Sequence, residues 1–432
     1  MAGPASLILL SVFGFLAFLG IPLAVAITFA GLAAVMLVVP LDMALFTSAQ
    51  KMMASLDSFS LLAVPFFILS GVIMNSGGIA VRLVNFAKLV AGRIPGALAQ
   101  TNIAGNMLFG CISGSAIAAS TSIGGVMVPM QAREGYDRGF AAAVNIASAP
   151  TGMLIPPTTA FIIYSLVSGG TSIAALFVAG GVAGTLWGLG MMSITAVIAR
   201  RRGYPLAPRV PLSEALRITL DALPSLLLVV LVIGGITFGI FTAVEASGIA
   251  VLYTMLLAFV IHRTASISQL PRFLLETAQM TGAIMLLLAA SAALSFAMSF
   301  TGIPAAVSAL ILGISDNPIV VLLVINLVLL LVGCFMDIGP AILIFTPILL
   351  PIAKAVGVDP VQFGVILVFN LAIGTITPPV GTGLFVGVSV ARVKLEQAIR
   401  ALWPFYLLLV ALLLVVTYVP ALTLALPRAF GL

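Results

Sequence analysis

The chain is a succession of long apolar runs separated by short polar connectors, and the lengths of the runs predict its elements. Residues 5 to 19 and 21 to 39 are apolar and broken at Gly20-Ile21-Pro22, each close to the minimum for a helical crossing. Residues 41 to 56 mix polar and apolar positions, too polar to span, and predict a helix lying along the interface. A crossing over 60 to 76 follows. Residues 96 to 133 have the length of two half-spanning helices with a Ser113-Gly114-Ser115 turn between them, which predicts a re-entrant hairpin. Residues 139 to 169 are too long for one plain crossing and are interrupted at Ala149-Pro150-Thr151-Gly152 and again at Pro156-Pro157, so a broken helix is expected. Residues 172 to 199 cross back. The order then starts again, with a helical pair over 219 to 240 and 243 to 261, a second interfacial arm to about Gln279, and a crossing over 281 to 300. A hairpin over 318 to 353, a broken helix over 361 to 389 and a last crossing over 402 to 426 complete it.

This recurrence has a residue-level counterpart. Pro129/Pro351, Gly135/Gly357, Asp137/Asp359, Gly152/Gly374, Pro156/Pro378 and Pro157/Pro379 are each 222 positions apart, and Pro95/Pro318, Gly110/Gly333 and Cys111/Cys334 are each 223 apart. Apolar matches mean little in such a chain, but nine matches in Gly, Pro, Asp and Cys point to one unit used twice. The predicted division is residues 1–217 and 218–432. The first holds scaffold helices and arm (1–93), hairpin (96–133), broken helix (139–169), helix (172–199) and a cytoplasmic loop (200–217). The second holds scaffold helices and arm (218–300), hairpin (318–353), broken helix (361–389) and helix (402–426).

Composition fixes the solvent. With 62% hydrophobic and 7% charged residues over 432 positions, the chain is far below the roughly one quarter charged of a water-soluble protein. Continuous rather than alternating apolar runs exclude a β-barrel, which leaves an all-α polytopic membrane protein. The formal charge of +6 marks orientation rather than nucleic-acid binding, because the basic residues gather in loops. Arg82, Lys88 and Arg93, then Arg133 and Arg138, then Arg200, Arg201, Arg202, Arg209 and Arg217, then His262, Arg263 and Arg272, and finally Arg392, Lys394 and Arg400 are assigned to the cytoplasm. The first Lys or Arg is Lys51, so no cleaved signal peptide is expected, and both termini are placed in the periplasm of an inner-membrane protein. Each half then has about five transmembrane helices and a hairpin that adds no crossing, so the second copy must be inverted relative to the first. The weakly charged flanks of the second hairpin agree: Lys354 set against Asp316 and Asp359. Inverted repeats with broken helices are the design of a secondary transporter whose site lies near the midplane.

Unwound segments expose carbonyls and helix ends that can replace the water shell of a sodium ion. The candidate ligands are Ser113, Gly114, Ser115, Pro150 and Gly152 in the first half, and Met336, Asp337, Gly374 and Thr377 in the second, with Thr151 and Thr375 beside them. The competing reading is that Gly and Pro only kink packed helices while Ser and Thr hydroxyls bond back to their own carbonyls. Asp337 is the only acid between Asp316 and Asp359, in a strongly apolar run, and an ionised carboxylate there calls for a cation, a proton relay or an aqueous cavity. Glu245 sits between two helices, where a solvated acid is ordinary, and His262 adjoins Arg263 at a helix end. No Lys or Arg lies within a tip or a break, so an anionic substrate would rely on hydroxyls, N–H groups, helix N-termini or the coupled ions. Ser115, Thr151, Thr158, Thr377 and Thr382 are the candidate substrate contacts. GxxxxGK, HExxH and GxSxG are all missing, which argues against ATP hydrolysis and the usual intramembrane protease chemistries. A passive channel would need a continuous polar lining, whereas the polar residues here gather at two breaks. An ion-coupled antiporter of the same design, working without a binding protein, is the alternative.

The run GCISGSAIAASTSIGGVMVPMQAREGYDRGFAAAVNIASAPTGMLIPPT, with GCFMDIGPAILIFTPILLPIA and NLAIGTITPPVGTGLF in the second half, resembles the large membrane subunit of tripartite ATP-independent periplasmic (TRAP) transporters, over essentially the whole chain. That resemblance implies an elevator-type transporter whose two hairpins and two broken helices form a mobile domain. It implies sodium-driven import of an organic acid without ATP, a separate small four-helix membrane subunit and a periplasmic substrate-binding protein. It further implies one sodium site around Ser113, Ser115 and Gly152 and another around Asp337, Gly374 and Thr377.

Overall fold

A computed structural model of the protein describes residues 2–76, 79–207, 210–315 and 317–432; Arg209 and Asp316 lie outside the described residues. Among the described residues every regular element is helical. Among these residues seven helices are, by length and composition, able to cross a membrane, and eight if the bent pair Leu41–Leu56 and Phe59–Asn75 counts as one span.

The first half runs α1 (Ala2–Phe18), α2 (Leu23–Val35), α3 (Leu41–Leu56), α4 (Ala63–Ser76) and α5 (Ile79–Ala91). The hairpin α6 (Ala97–Ser113) and α7 (Ala116–Arg133) follows, then α8 (Arg138–Ser148), a 3₁₀ turn Ala149–Met153, α9 (Thr159–Val167) and α10 (Ile173–Arg202). The second half runs α11 (Leu212–Thr237), α12 (Ala243–Met255) and a π-turn Leu256–Ile261, then α13 (Leu270–Thr301) and α14 (Ile303–Ile314). The second hairpin is α15 (Pro318–Phe335) and α16 (Ile338–Ala355), followed by α17 (Pro360–Gly374), α18 (Thr382–Ala391), α19 (Leu395–Tyr418) and α20 (Pro420–Ala429).

Turns separate α6 from α7 and α15 from α16, and α8 and α17 end where breaks are expected; α15 and α16 are each long and apolar enough to span by themselves. The repeated punctuation has local causes. Asp137 caps α8 by accepting from the Phe140 N–H at 2.8 Å, and Asp359 caps α17 by accepting from the Val361 N–H at 2.8 Å. Gly135 and Gly357 take φ of +79° and +84° just past α7 and α16, a left-handed conformation that ends a helix at no steric cost. The Pro156-Pro157 and Pro378-Pro379 peptide bonds are cis. Both cysteines are buried and free, each donating to a carbonyl of its own helix, Leu108 and Leu330.

Two elements differ from the reading of the runs. The expected arm to about residue 279 and crossing from 281 are one unbroken helix, α13, because nothing between Pro271 and Gly302 interrupts the backbone ladder. In the first half, by contrast, the expected arm and crossing are separate, and α3 and the segment after it bend by 62° across Asp57 and Ser58. The last crossing ends early at Tyr418, and residues 420–429 form the separate helix α20, which starts on Pro420. Two short helices, α5 and α14, follow the crossings of the two halves and fall below the length of a span; α5 is amphipathic, with Leu83, Val84 and Ala87 buried and Arg82 turned out to Asp221 at 3.0 Å.

The centre is formed by α8 and α17, each buried almost end to end. Trp187 of α10 ties them together, donating from Nε1 to the Ala147 carbonyl at 2.9 Å while its ring lies 4.7 Å from that of Phe369. Around them the halves interlock. The return arm of the first hairpin, α7, packs on α18 beyond the second break, and the return arm of the second, α16, packs on α9 beyond the first. Glu245 completes a capping box with Thr242 at the exposed start of α12, the solvated role expected of it. His262 ends the π-turn, half-buried.

Candidate functional site

Each hairpin meets the break of its own half through a pair of glycines. A methyl group built on Gly110 would lie 2.6 Å from the Gly152 Cα, and one on Gly333 would lie 3.0 Å from the Gly374 Cα. Only a residue without Cβ lets the backbones approach this closely. These contacts seat the 3₁₀ turn against α6, and the end of α17 against α15, one helical turn from each tip.

At the first tip Gly114, at φ +61°, ends α6 by donating its N–H to the Gly110 carbonyl at 2.7 Å. Ser115 starts α7 and its hydroxyl accepts from the Ala118 N–H at 3.3 Å, while the Ser113 hydroxyl lies 3.5 Å from the Ser115 carbonyl. Ser113, Gly114 and Ser115 line a cavity of about 170 Å³ together with Ser70 and Asn75 of α4 and Pro157 and Thr159 beyond the break. Within the break, Pro150 cannot donate to the carbonyl four residues earlier. Thr151 is fully buried and donates to the Ser148 carbonyl at 2.7 Å. Thr158 is buried and caps α9, accepting from the Phe161 N–H at 3.4 Å. The predicted residues therefore divide. Ser113, Gly114 and Ser115 share a cavity, Gly152 is locked to Gly110, and Pro150, Thr151 and Thr158 are built into the break itself.

At the second tip α15 ends on Phe335, Met336 is extended, and Asp337 occupies the cap position of α16 without capping it. Its side chain is exposed and takes part in none of the described hydrogen bonds or ion pairs. The turn after α17 is held from several sides. The Thr375 carbonyl accepts from the N–H groups of Gly383 and Leu384 at 2.9 and 3.2 Å, Gly381 donates to the Cys334 carbonyl at 3.0 Å, and the Tyr406 hydroxyl donates to the Ile376 carbonyl at 2.6 Å. Thr377 donates to the Ile373 carbonyl at 2.7 Å, and Thr382 opens α18, half-buried. The back-bonding expected under the purely structural reading is thus present at Thr151, Thr375 and Thr377. It does not remove them as ligands, because a hydroxyl whose proton points backward offers a cation its lone pairs.

A network of buried asparagines supports both sites, and the apolar-run reading passes over it. Asn106 of α6 donates to Asn145 Oδ1 at 3.2 Å and to the Ser148 hydroxyl at 2.7 Å, and Asn145 donates to the Ser120 hydroxyl at 3.0 Å, joining α6, α7 and α8. Gly124 leaves the space through which Asn145 reaches α7. In the second half Asn370 donates to Asn326 Oδ1 at 2.8 Å, and Asn326 to Thr417 Oγ1 at 3.1 Å. Asn106 Oδ1 and Asn370 Oδ1 are buried acceptors with no described partner. The signal was available as amides inside greasy stretches, TNIAGN, VNIAS, INLV and FNLAIG.

An all-helical membrane fold with two hairpin tips each seated on a helix break defines a transporter permease. Residues 9–422 match the family model of the tripartite ATP-independent periplasmic transporter, DctM component, and the chain belongs to that family. It is 48% identical over 98% of its length to the protein YgiK of Salmonella typhimurium, and spans 98% of that protein. It is 38% identical over 89% of its length to the C4-dicarboxylate TRAP transporter large permease protein DctM of Pseudomonas aeruginosa, spanning 90% of that protein. The crystal structure of the Alcanivorax borkumensis YdaH transporter shares the fold, with a TM-score of 0.64 at 15% identity over 88% of this chain and 89% of that one.

Proposed function

We propose that the chain is the sodium-driven, ATP-independent uptake permease for an organic acid, working as an elevator. In this reading the two halves are inverted repeats, and the hairpins and broken helices α6–α9 and α15–α18 move together against the remaining helices. The observation that carries it is the paired geometry at Gly110/Gly152 and Gly333/Gly374, which puts an unwound tip beside an unwound break twice in one chain. Hard cations take oxygen ligands. Carbonyls of the tips, the backward-bonded hydroxyls of Thr151 and Thr377 and the Asp337 carboxylate are a donor set of that kind, with Ser115, Thr158 and Thr382 nearby for a carboxylic acid. The C4-dicarboxylate of the Pseudomonas relative supports an organic acid as substrate.

TRAP large permeases work with a small membrane subunit and a periplasmic binding protein, and both partners are proposed for this chain. The inner membrane is its proposed location. No Lys or Arg lines the tips or breaks, so tight capture of a free anion is left to the binding protein. Proteoliposomes holding the permease and its small partner should show little sodium-driven uptake until liganded binding protein is added outside. Full uptake of free acid without that protein would overturn the dependence.

A further inference from the structure

Away from both tips, α7 and α18 wall a cavity of about 570 Å³ whose lining includes Thr121, Gly125, Ser389, Arg138 and Arg392. Its walls lead away from the proposed transport sites: α7 starts at Ala116 and α18 at Thr382. Two arginines thus line the cavity, and neither takes part in a described ion pair. The nearest acid in sequence is already engaged, since Asp137 caps α8 and lies 3.6 Å from Arg202. Arg392 is also strained, with φ at +53°, where a side chain is disfavoured. In the first half, 222 positions earlier, the chain has Gly170 at φ +90°. A site that accepts an arginine where its counterpart uses glycine retains that side chain at a conformational cost, and such strain is an argument for a role.

We infer that this cavity is an oxyanion vestibule on the cytoplasmic side, in which Arg138 and Arg392 take a carboxylate of the substrate after it leaves the midplane site. The inference rests on the reading of the chain as an organic-acid permease. The midplane offers no fixed positive charge, and this cavity offers a leaving anion two arginines. Guanidiniums bind carboxylates in planar, two-point fashion, and two of them across one cavity favour a dianion over a monoanion. A phosphate headgroup of an anionic lipid presents the same oxyanion chemistry.

The test uses the full chain with Ser389→Cys in nanodiscs, scored by the rates at which an anionic and a neutral methanethiosulfonate modify the new thiol. The anionic-to-neutral ratio should fall about tenfold in R138Q/R392Q and stay high in R138K/R392K. Succinate should slow the anionic reagent in the arginine form and leave the glutamine form unaffected. An unchanged ratio, or no protection by succinate, overturns the vestibule. The neutral reagent reports whether the cavity is intact, so a misfolded variant is recognised by its changed neutral rate, and the lysine pair then decides. Protection that needs phosphatidylglycerol in the disc and ignores succinate also overturns it, assigning the arginines to lipid. The assay needs no sodium gradient and no partner proteins, so it can fail while sodium-driven uptake stands, and succeed where that uptake fails.

Discussion

In the first hairpin α6 and α7 lie against each other and end in a serine, glycine and serine turn facing α4, whereas in the second α15 leans mainly on α17 and the tip carries Asp337. The features both share are those that position backbone: the glycine contacts, the aspartate caps and the paired prolines. What differs is the charge offered at the tip. The two tips thus share their backbone devices and differ in charge, the first neutral and the second carrying Asp337. If both bind sodium, the second should hold it with a formal charge and the first with dipoles alone.

The largest test of this comparison is all-or-none. If the second unit is inverted, single cysteines at Arg201 and Arg400 face the cytoplasm while those at Gln50 and Arg428 face the periplasm. External labelling of intact cells that strongly modifies position 201 would remove the basis for pairing the two tips. The glycine contacts come next. Gly152→Ala and Gly374→Ala each force a methyl group into the opposing backbone, and each should cost about 2–4 kcal/mol in thermal or denaturant unfolding. Gly282→Ala, inside α13 with nothing near its added methyl, should instead be neutral or stabilise by up to about 1 kcal/mol. Unequal costs at Gly152 and Gly374 would mean that the two breaks are not equivalent.

Asp337→Asn keeps the shape of the second tip and removes its charge. Half-saturating sodium for uptake should rise about tenfold or more, equivalent to about 1.4 kcal/mol. An unchanged sodium dependence would return coupling to the carbonyls. The asparagine network compares the two halves a last time. Asn145→Ala should destabilise by about 1–2 kcal/mol because it unlinks three helices, and Asn370→Ala by about 1 kcal/mol or less. The reverse order in unfolding measurements would show that the second network is the tighter one.

The hairpins and breaks were legible because Gly, Pro and Asp act locally: a proline withholds its N–H and an aspartate caps its helix whatever surrounds it. Run length and charge located crossings in the same way. Continuity was not legible. Polarity marked residues up to about 279 as interfacial, but whether the backbone bends there depends on a local breaker, present at Asp57-Ser58 and missing within α13. The helices α5 and α14 were hidden because their lengths are below a span and the burial of α5 is set by tertiary partners. Asn106, Asn145, Asn326 and Asn370 escaped notice because a buried amide is meaningful only once its partner is known, and those partners come from other helices. Asp337 was found as an isolated acid, but that it takes part in none of the described hydrogen bonds or ion pairs became visible only in three dimensions.

The interlock of α7 with α18 and of α16 with α9 also bears on how the protein is made. The face of α7 that α18 covers is synthesised roughly 250 residues before its cover, about 12–50 s at 5–20 residues per second. Through that interval the first hairpin sits in the bilayer with a bare flank and a polar tip, whereas α16 finds α9 already waiting. Biogenesis is therefore asymmetric even if the finished molecule is not, and the early hairpin is the segment most exposed to quality-control proteases and mistaken partners.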